Sequence, residues 1–519
     1  MRVPKEVLDI PGIRFIEPEA GLPDPVWKVE IPSTTWPLAP VASVLSQFRF
    51  APAPSGVLVP SWPNLYHYQQ AGVQWLTERQ GGLLSFSLGL GKTRTSAVAA
   101  RVLTARTGDP TLIVGLKYLR ETWRQELEKV FGTDGYEFRA LEGVTPTILR
   151  RPDKPLFLFC HYDIVHAWWS QISALRPRVV ILDEAHLIRN PKTRRGKAAA
   201  LAVSGSAVRV ALTGTPILNR PREAFSLLEI VTGKYSWGSQ GSFRMRYVGA
   251  YTGPHGLVDG EPSNVEELRA RLDTCVLRKT PEDVGLELPP VTRELVYVEP
   301  DPKLAQQYAT WLDGHDPREL IEAVLNGRGS SRTFETLGTL RKLASDMKKV
   351  TLEEMTTDLG EDAVVFVWRR ESADRLALGK GLRWRVHGGL QHDNRNEIVK
   401  SFQAHGGLLS ATYDALSTGV TLDRARVVIM GDLGYVPADM LQAEGRVTGG
   451  LRRVGKHCIS RWLVARGTLD ELMIRLIGLK GNVIDRVFSD HSAQQLAQFL
   501  GYNEKSASFE KIISWARLV

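Results

Sequence analysis

The chain has 519 residues, 43% hydrophobic and 24% charged, and carries a formal net charge of +9. That length exceeds what one core organises, so two or more domains are expected, and the basic balance suits a polyanionic partner. Cys160, Cys275 and Cys458 form no CxxC pair, no apolar run reaches the length of about eighteen residues that a membrane span needs, and the amino-terminal stretch carries Glu6, Asp9, Glu17 and Glu19 among prolines. These features argue against a disulfide framework, a zinc centre, a membrane segment and a targeting peptide, and a reducing cytoplasm fits them.

Residues 1–60 are rich in Pro and Trp, with short alternating runs at Val26–Ile31 and Phe48–Phe50, and are expected to form a small β-containing accessory region. From Ser61 the text takes up a strand–helix rhythm, with strands expected at Leu83–Phe86, Thr111–Gly115, Leu156–Phe159, Val179–Leu182 and Val208–Thr213. This rhythm gives a first parallel-sheet domain over 61–295, interrupted by a Gly-, Tyr- and charge-rich insertion near 232–275 that is expected to protrude. A second domain over 296–484 starts with a helical insertion near 300–355. It continues with strands at Ala363–Val367, Trp384–His387, Gly407–Ala411, Val427–Met430 and Ile459–Val464. Residues 485–519 read as a helical tail. The fold class is α/β, with two tandem parallel-sheet domains, helical insertions and a small amino-terminal β appendage.

Two short runs carry chemistry. In LLSFSLGLGKTRTS (Leu83–Ser96), an apolar strand meets a glycine turn that opens a helix. Gly89 and Gly91 let backbone N–H groups approach phosphate oxygens, Lys92 supplies a point charge, and the Thr93 hydroxyl can ligate Mg²⁺. Phe86 stands where the full eight-residue pattern has its first glycine, so a glycine turn that merely caps a helix is the other reading of this run alone. Ninety-one residues after Lys92, the β-branched run Arg178–Leu182 ends in Asp183-Glu184-Ala185-His186. Carboxylates at the carboxyl end of a buried parallel strand enter the ligand crevice of an open α/β sheet. Asp183 is expected to hold the Mg²⁺ shell and Glu184 to orient and deprotonate an attacking water. Two such halves in order point to nucleotide hydrolysis, with ATP and Mg²⁺ as the implied substrate and cofactor.

The wider set of strings resembles the superfamily 2 helicase-type motors, and more narrowly the SNF2 family, over Ser61–Gly478. LYHYQQAGVQWL (Leu65–Leu76) resembles the entry motif, with Gln69 at the adenine-reading position. TLIVGLKYLRETWRQEL (Thr111–Leu127) resembles the motif that touches the DNA backbone, with Lys117 and Trp123 at family-typical places; Lys117 alone reads equally as a solvated loop lysine. DEAHLIRNPKT (Asp183–Thr193) and LTGTPILN (Leu212–Asn219) resemble the next two motifs, and His186, Thr213 and Thr215 are implied to couple the hydrolytic site to the DNA side. CVLRKTPEDVGLELPP (Cys275–Pro290) resembles the segment that crosses into the second motor half.

In that half, RVHGGLQHDNRNEIVKSF (Arg385–Phe402) resembles a phosphate-backbone grip with Arg395 as its arginine, and LSTGVTL (Leu416–Leu422) resembles the fifth motif, its double glycine reduced to Gly419. GDLGYVPADMLQAEGR (Gly431–Arg446) resembles the sixth, nearest the HARP-like annealing-helicase branch. The resemblance implies that Gln442 and Arg446 face the γ-phosphate across a cleft. The family spaces a second arginine three residues on, where this chain has Gly449. A short insertion would restore the pattern at Arg453, with Arg452 as the next choice.

The resemblance implies two RecA-like domains that close on ATP and translocate along duplex, forked or branched DNA, held mainly through phosphates, with fork reversal, branch migration or reannealing as the specific activities. A strand-separating helicase and a nucleotide-gated DNA-binding scaffold are the alternatives. Protein partners are not readable. Compact size without chromatin-reading modules leads to the expectation of a bacterial or viral source.

Overall fold

The computed structural model describes residues 14–16, 28–30 and 65–500, apart from 88, 215–220, 235, 254–255, 261, 286–290, 314, 317–318, 321–322, 324–328, 358, 391, 417–421, 435–436, 449–456 and 489–490. Thr215, Gly419, Arg452, Arg453, the Phe48–Phe50 run and the tail beyond 500 lie outside the described residues. The chain divides into two compact units at Leu58/Val59. In the first, β1 (Arg14–Ile16) pairs antiparallel with β2 (Lys28–Glu30).

The second unit holds two parallel sheets. The first contains β3 (Gly81–Phe86), β4 (Thr111–Gly115), β5 (Glu137–Ala140), β6 (Leu156–His161), β7 (Val179–Leu182) and β8 (Val208–Leu212). A two-stranded hairpin, β9 (Tyr251–Gly253) with β10 (Gly256–Val258), precedes its last strand, β11 (Val276–Lys279). The seven strands lie in the order β11-β3-β8-β7-β4-β6-β5. The second sheet contains β12 (Val291–Val298), β13 (Ala363–Val367), β14 (Arg383–Val386), β15 (Leu408–Thr412), β16 (Val427–Met430) and β17 (Cys458–Ala465), in the order β12-β17-β16-β13-β15-β14.

Side chains alternate across each strand, so a doubly covered sheet needs two cores. In the first sheet, Leu83, Leu112, Val114, Leu158, Val180 and Leu182 enter one core, while Leu84, Ile113, Phe157, Phe159, Val179 and Ile181 enter the other. The second sheet repeats the scheme, with Val364, Phe366, Val428 and Trp462 on one face and Ala363, Val365, Val427 and Leu463 on the opposite face. The insertion near 300–355 is helical at Pro302–Asp313, Ser331–Met347 and Lys349–Thr357, and its Tyr308, Leu340 and Met347 pack with Ala465 and Leu469.

Three features differ from the sequence-based expectation. Strands β5, β11 and β12 were not foreseen, and β12 begins at Val291, so the second sheet takes up the chain before the expected boundary at 295/296. The stretch 232–275 does not simply protrude: Trp237, Phe243 and Tyr247 are buried in the core of the first sheet, because its aromatic side chains have an apolar face to cover, and among the described residues only its hairpin carries an exposed aromatic, Tyr251. Among the described residues, no helix is long and apolar enough to cross a membrane.

Strand β3 starts with Gly81 at φ +123°, where an added Cβ would lie 2.4 Å from the Arg209 carbonyl oxygen of β8. That neighbour is backbone and cannot swing away. Gly81→Ala should therefore destabilise the first sheet by about 1–3 kcal/mol. The check is the melting temperature of the first unfolding transition, and an unchanged value would contradict this account of β3.

Candidate nucleotide site at the seam of two parallel sheets

Strands β3, β8 and β7 are consecutive neighbours in the first sheet, and their carboxyl ends deliver three of the singled-out segments to one edge. After β3 the chain turns through Gly89 (φ +82°) and Gly91 (φ +79°) into the helix Lys92–Thr104. No side chain caps that helix; its cap position is Gly91. Its first amides are thus left for an anion, and the positive end of the helix dipole faces the same way. A Cβ at Gly91 would lie 2.2 Å from Gln69 Nε2, so only glycine leaves room for the approach.

Gln69 is buried on the helix His67–Arg79. Its Oε1 accepts from the Tyr66 amide at 3.1 Å, and its Nε2 donates to the Leu90 carbonyl at 3.1 Å. The residue expected to read adenine is therefore fastened to the glycine turn. Lys92 Nζ donates to the Phe86 carbonyl at 2.8 Å. Burial pulls its pKa below the ordinary lysine value, Glu184 and Asp183 work against that fall, and Arg446 adds to it. Thr93 follows on the first turn of the same helix, part-buried. Thr213, fully buried at the end of β8, donates its amide to Leu84 O at 3.2 Å. The following Gly214 sits against Lys92: a Cβ there would be 3.8 Å from Nζ.

Asp183 leaves β7 nearly buried, with each carboxylate oxygen in a hydrogen bond. Trp123 Nε1 donates to Oδ2 at 2.8 Å and the Glu184 amide to Oδ1 at 2.8 Å. The Tyr162 hydroxyl donates to the Asp183 carbonyl at 2.9 Å. Burial and the neighbouring Glu184 charge raise the Asp183 pKa, against the pull of those two donors. Glu184 takes a left-handed backbone conformation, φ 49° and ψ 47°, uncommon for a residue with a side chain and typical of functional turns. Burial pushes its carboxyl up as well, but His186, Lys92 and Arg446 outweigh burial and bring it down. His186 Nδ1 lies 3.3 Å from Glu184 Oε2. The two carboxylates are thus driven apart, one toward its neutral form and one held ionised, which is the pattern of groups with different tasks.

The second sheet supplies the fourth charge. Arg446 lies on the helix Pro437–Thr448 and is 5% exposed. Burial lowers its pKa, while the charge of Glu184 and the nearby Tyr118 hold it up. Gln442 is one turn earlier on the same face, part-buried. Asp439, in the first turn, feels Arg189 and His186 from the other side of the seam. Lys92, Asp183, Glu184 and Arg446 therefore share one site. A triphosphate fits the open glycine cradle and the two cations, and Thr93 with Asp183 fits magnesium, which takes few protein oxygens and leaves its remaining positions to water and phosphate.

The two expected DNA contacts lie elsewhere. Lys117 is exposed in the loop after β4. Arg395 spends its guanidinium on its own loop, donating to Gly388 O at 2.9 Å and Leu390 O at 2.8 and 3.0 Å. Trp123, which stands at a family-typical place in the same string as Lys117, is fully buried and donates to Asp183. Sequence reasoning missed Tyr162 and Tyr118 altogether; the only signal was a polar-tipped aromatic placed in or after a buried strand.

Trp123→Phe removes the donor to Asp183 Oδ2 and should cost about 1–3 kcal/mol of stability. The cost should be larger at pH 8 than at pH 5, because the raised pKa of Asp183 lets protonation at low pH relieve the unsatisfied carboxylate. Thermal melts at the two pH values check this, and an equal or reversed loss would refute it.

A model described as SNF2-related domain matches residues 68–349, more than half of the chain, and one described as helicase conserved C-terminal domain matches 346–448. Relatives include a Caenorhabditis elegans protein named "SWI/SNF-related matrix-associated actin-dependent regulator of chromatin subfamily A-like protein 1 homolog", 26% identical over 85% of this chain and 65% of its own. The Xenopus tropicalis protein of that name is 27% identical over 81% of this chain and 44% of its own, and the mouse "DNA annealing helicase and endonuclease ZRANB3" is 26% identical over 81% and 40%. This chain thus spans roughly two fifths to two thirds of the length of these relatives. The structure titled "Sulfolobus solfataricus SWI2/SNF2 ATPase core in complex with dsDNA" is similar at 20% identity, with a TM-score of 0.40, over 86% of this chain and 96% of that one. The worm, frog and mouse relatives are eukaryotic, which gives the expected bacterial or viral source no support. The chain belongs to the SNF2-related family, its SNF2-related domain followed by a helicase conserved C-terminal domain.

Proposed function

We propose that the chain is a DNA-dependent ATPase that uses hydrolysis at its seam to translocate on duplex or branched DNA and remodel it by fork reversal, branch migration or reannealing. The observation that carries the reading is the meeting of Lys92, Asp183 and Glu184 of the first lobe with Arg446 of the second. Family membership and relatives named as annealing helicases support the DNA-remodelling part.

In this reading Gly89, Gly91 and the first amides of the helix Lys92–Thr104 cradle the phosphates, and Lys92 neutralises their outer charge. Thr93 and Asp183 would hold Mg²⁺, which when bound supplies charge neutralisation at the phosphate oxygens. Glu184, its carboxyl held down by His186, Lys92 and Arg446, orients the water that attacks. Arg446 stabilises negative charge as it builds in the transition state. Gln69 senses the base through the same amide that fastens the glycine turn, and Gln442 supports the γ-phosphate from the second lobe. Arg453 is the second arginine of this reading. His186, Thr213, Thr215 and Gly419 link the site to the DNA face. There, Lys117 and the loop shaped by Arg395 contact phosphates rather than bases, so sequence preference is weak.

Lys92→Ala should abolish ATP turnover, and Glu184→Gln should retain ATP binding while losing hydrolysis by about 10²-fold or more. Phosphate release measured with no DNA and with single-stranded, duplex, forked and four-way DNA tests the whole reading. Stimulation by duplex and branched forms is expected; turnover in Lys92→Ala equal to the parent's removes the assigned site. ATP-dependent displacement of a strand from a plain fork would favour a helicase over a translocase.

A further inference from the structure

The arginine that reaches across the seam has to be aimed, and its helix carries a second buried charge pointing the other way. Glu444 precedes Arg446 by two residues, about 200° around the helix axis, so the two side chains leave opposite faces. Arg446 is buried and lies within electrostatic reach of Glu184 and Lys92. Glu444, 2% exposed, turns toward Arg293 of β12. Arg293 Nε lies 3.0 Å from Oε1 and 3.1 Å from Oε2, and Nη2 lies 2.7 Å from Oε2. Arg293 is itself mostly covered. A forked guanidinium–carboxylate pair fixes rotation as well as distance, which a single-point contact does not. Two backbone anchors flank it: the Thr448 hydroxyl donates to Glu444 O at 3.0 Å, and the Leu422 amide donates to Arg446 O at 2.7 Å. Strand β12 is also the first element of the second sheet, so the clamp joins the point where the chain enters that lobe to the helix that faces back to the first.

We infer that Arg293, through Glu444, is a positioning residue that sets the rotation of the helix Pro437–Thr448 and so the aim of Arg446. The inference rests on the reading of Arg446 as the arginine that completes the nucleotide site. A buried ion pair replaced as a unit by apolar side chains is often neutral for stability. The pair is therefore explained here by the direction it imposes rather than by the stability it adds.

The test uses the full chain with saturating Mg·ATP and duplex DNA, and compares the double variant Arg293→Met/Glu444→Met with Arg293→Lys and Arg446→Ala. Melting temperature, Kd for a fluorescent ATP analogue and kcat are read for each. The double variant should melt with the parent, bind nucleotide with the parent's Kd and lose about 10–100-fold in kcat, the scale of a misplacement near 1 Å. Arg446→Ala should lose about 10³-fold or more. If the double variant melts below the parent, Arg293→Lys decides: it keeps the charge and loses the fork, and a fall in kcat at unchanged Kd supports the inference. Parental kcat in the folded double variant, or in Arg293→Lys where that variant decides, overturns it. Parental kcat in Arg446→Ala overturns instead the reading on which it rests.

Discussion

Four charges withdrawn from water at one seam constrain everything else. Lys92 and Arg446 both lose basicity to burial, Asp183 is raised by it, and the Glu184 carboxyl is brought down only because His186, Lys92 and Arg446 outweigh it. Desolvated charges of this kind are costly unless each meets its partner. The first sheet meets that demand by placing β3, β8 and β7 side by side, so that the lysine, the Thr213 turn and the carboxylate pair leave adjacent strand ends. Arg446 is held by opposing effects, burial working against its charge and Glu184 for it.

Neutral donors hold the charges in place. Trp123 and the Glu184 amide take both oxygens of Asp183, Tyr162 takes its carbonyl, and Gln69 spans from Tyr66 to Leu90. None of these adds charge to a site already crowded with it, yet each fixes an orientation. The left-handed turn at Glu184 does the same through the backbone: it redirects the chain so that neighbouring carboxylates face different partners.

The sequence made the inner strands legible because a strand buried on both faces must be a continuous apolar run, as in Val179–Leu182 and Ala363–Val367. It hid β5, β11 and β12 because these flank or edge the sheets and mix polar with apolar residues, as in Arg278–Lys279 and Thr292–Glu294. Lys92, Asp183 and Glu184 were legible because each sits beside a glycine turn or strand end with its own local pattern. The pairings Trp123–Asp183 and Arg293–Glu444 were not, since residues 60 and 151 positions apart leave no trace in spacing. The motif placed Trp123 on its helix without indicating that its indole would turn inward to Asp183.

The end of β16, from which the chain leads to the helix bearing Arg446, is fixed from several directions. Asp432 accepts from the Trp368 amide at 2.8 Å and lies 3.6 Å from Lys348, a lysine only 1% exposed that also pairs with Asp470 at 2.8 Å. Arg341 of the helical insertion stacks on Trp368, 3.9 Å from its ring centre, and donates to Leu433 O. The insertion therefore braces the same strand end that the sheet itself supports. A helix whose approach is braced at 432–433 and whose body is clamped at Glu444 has little freedom of its own. The direction in which Arg446 leaves its helix is therefore set by the second lobe as a body, through contacts spread over its insertion, its strand ends and β12.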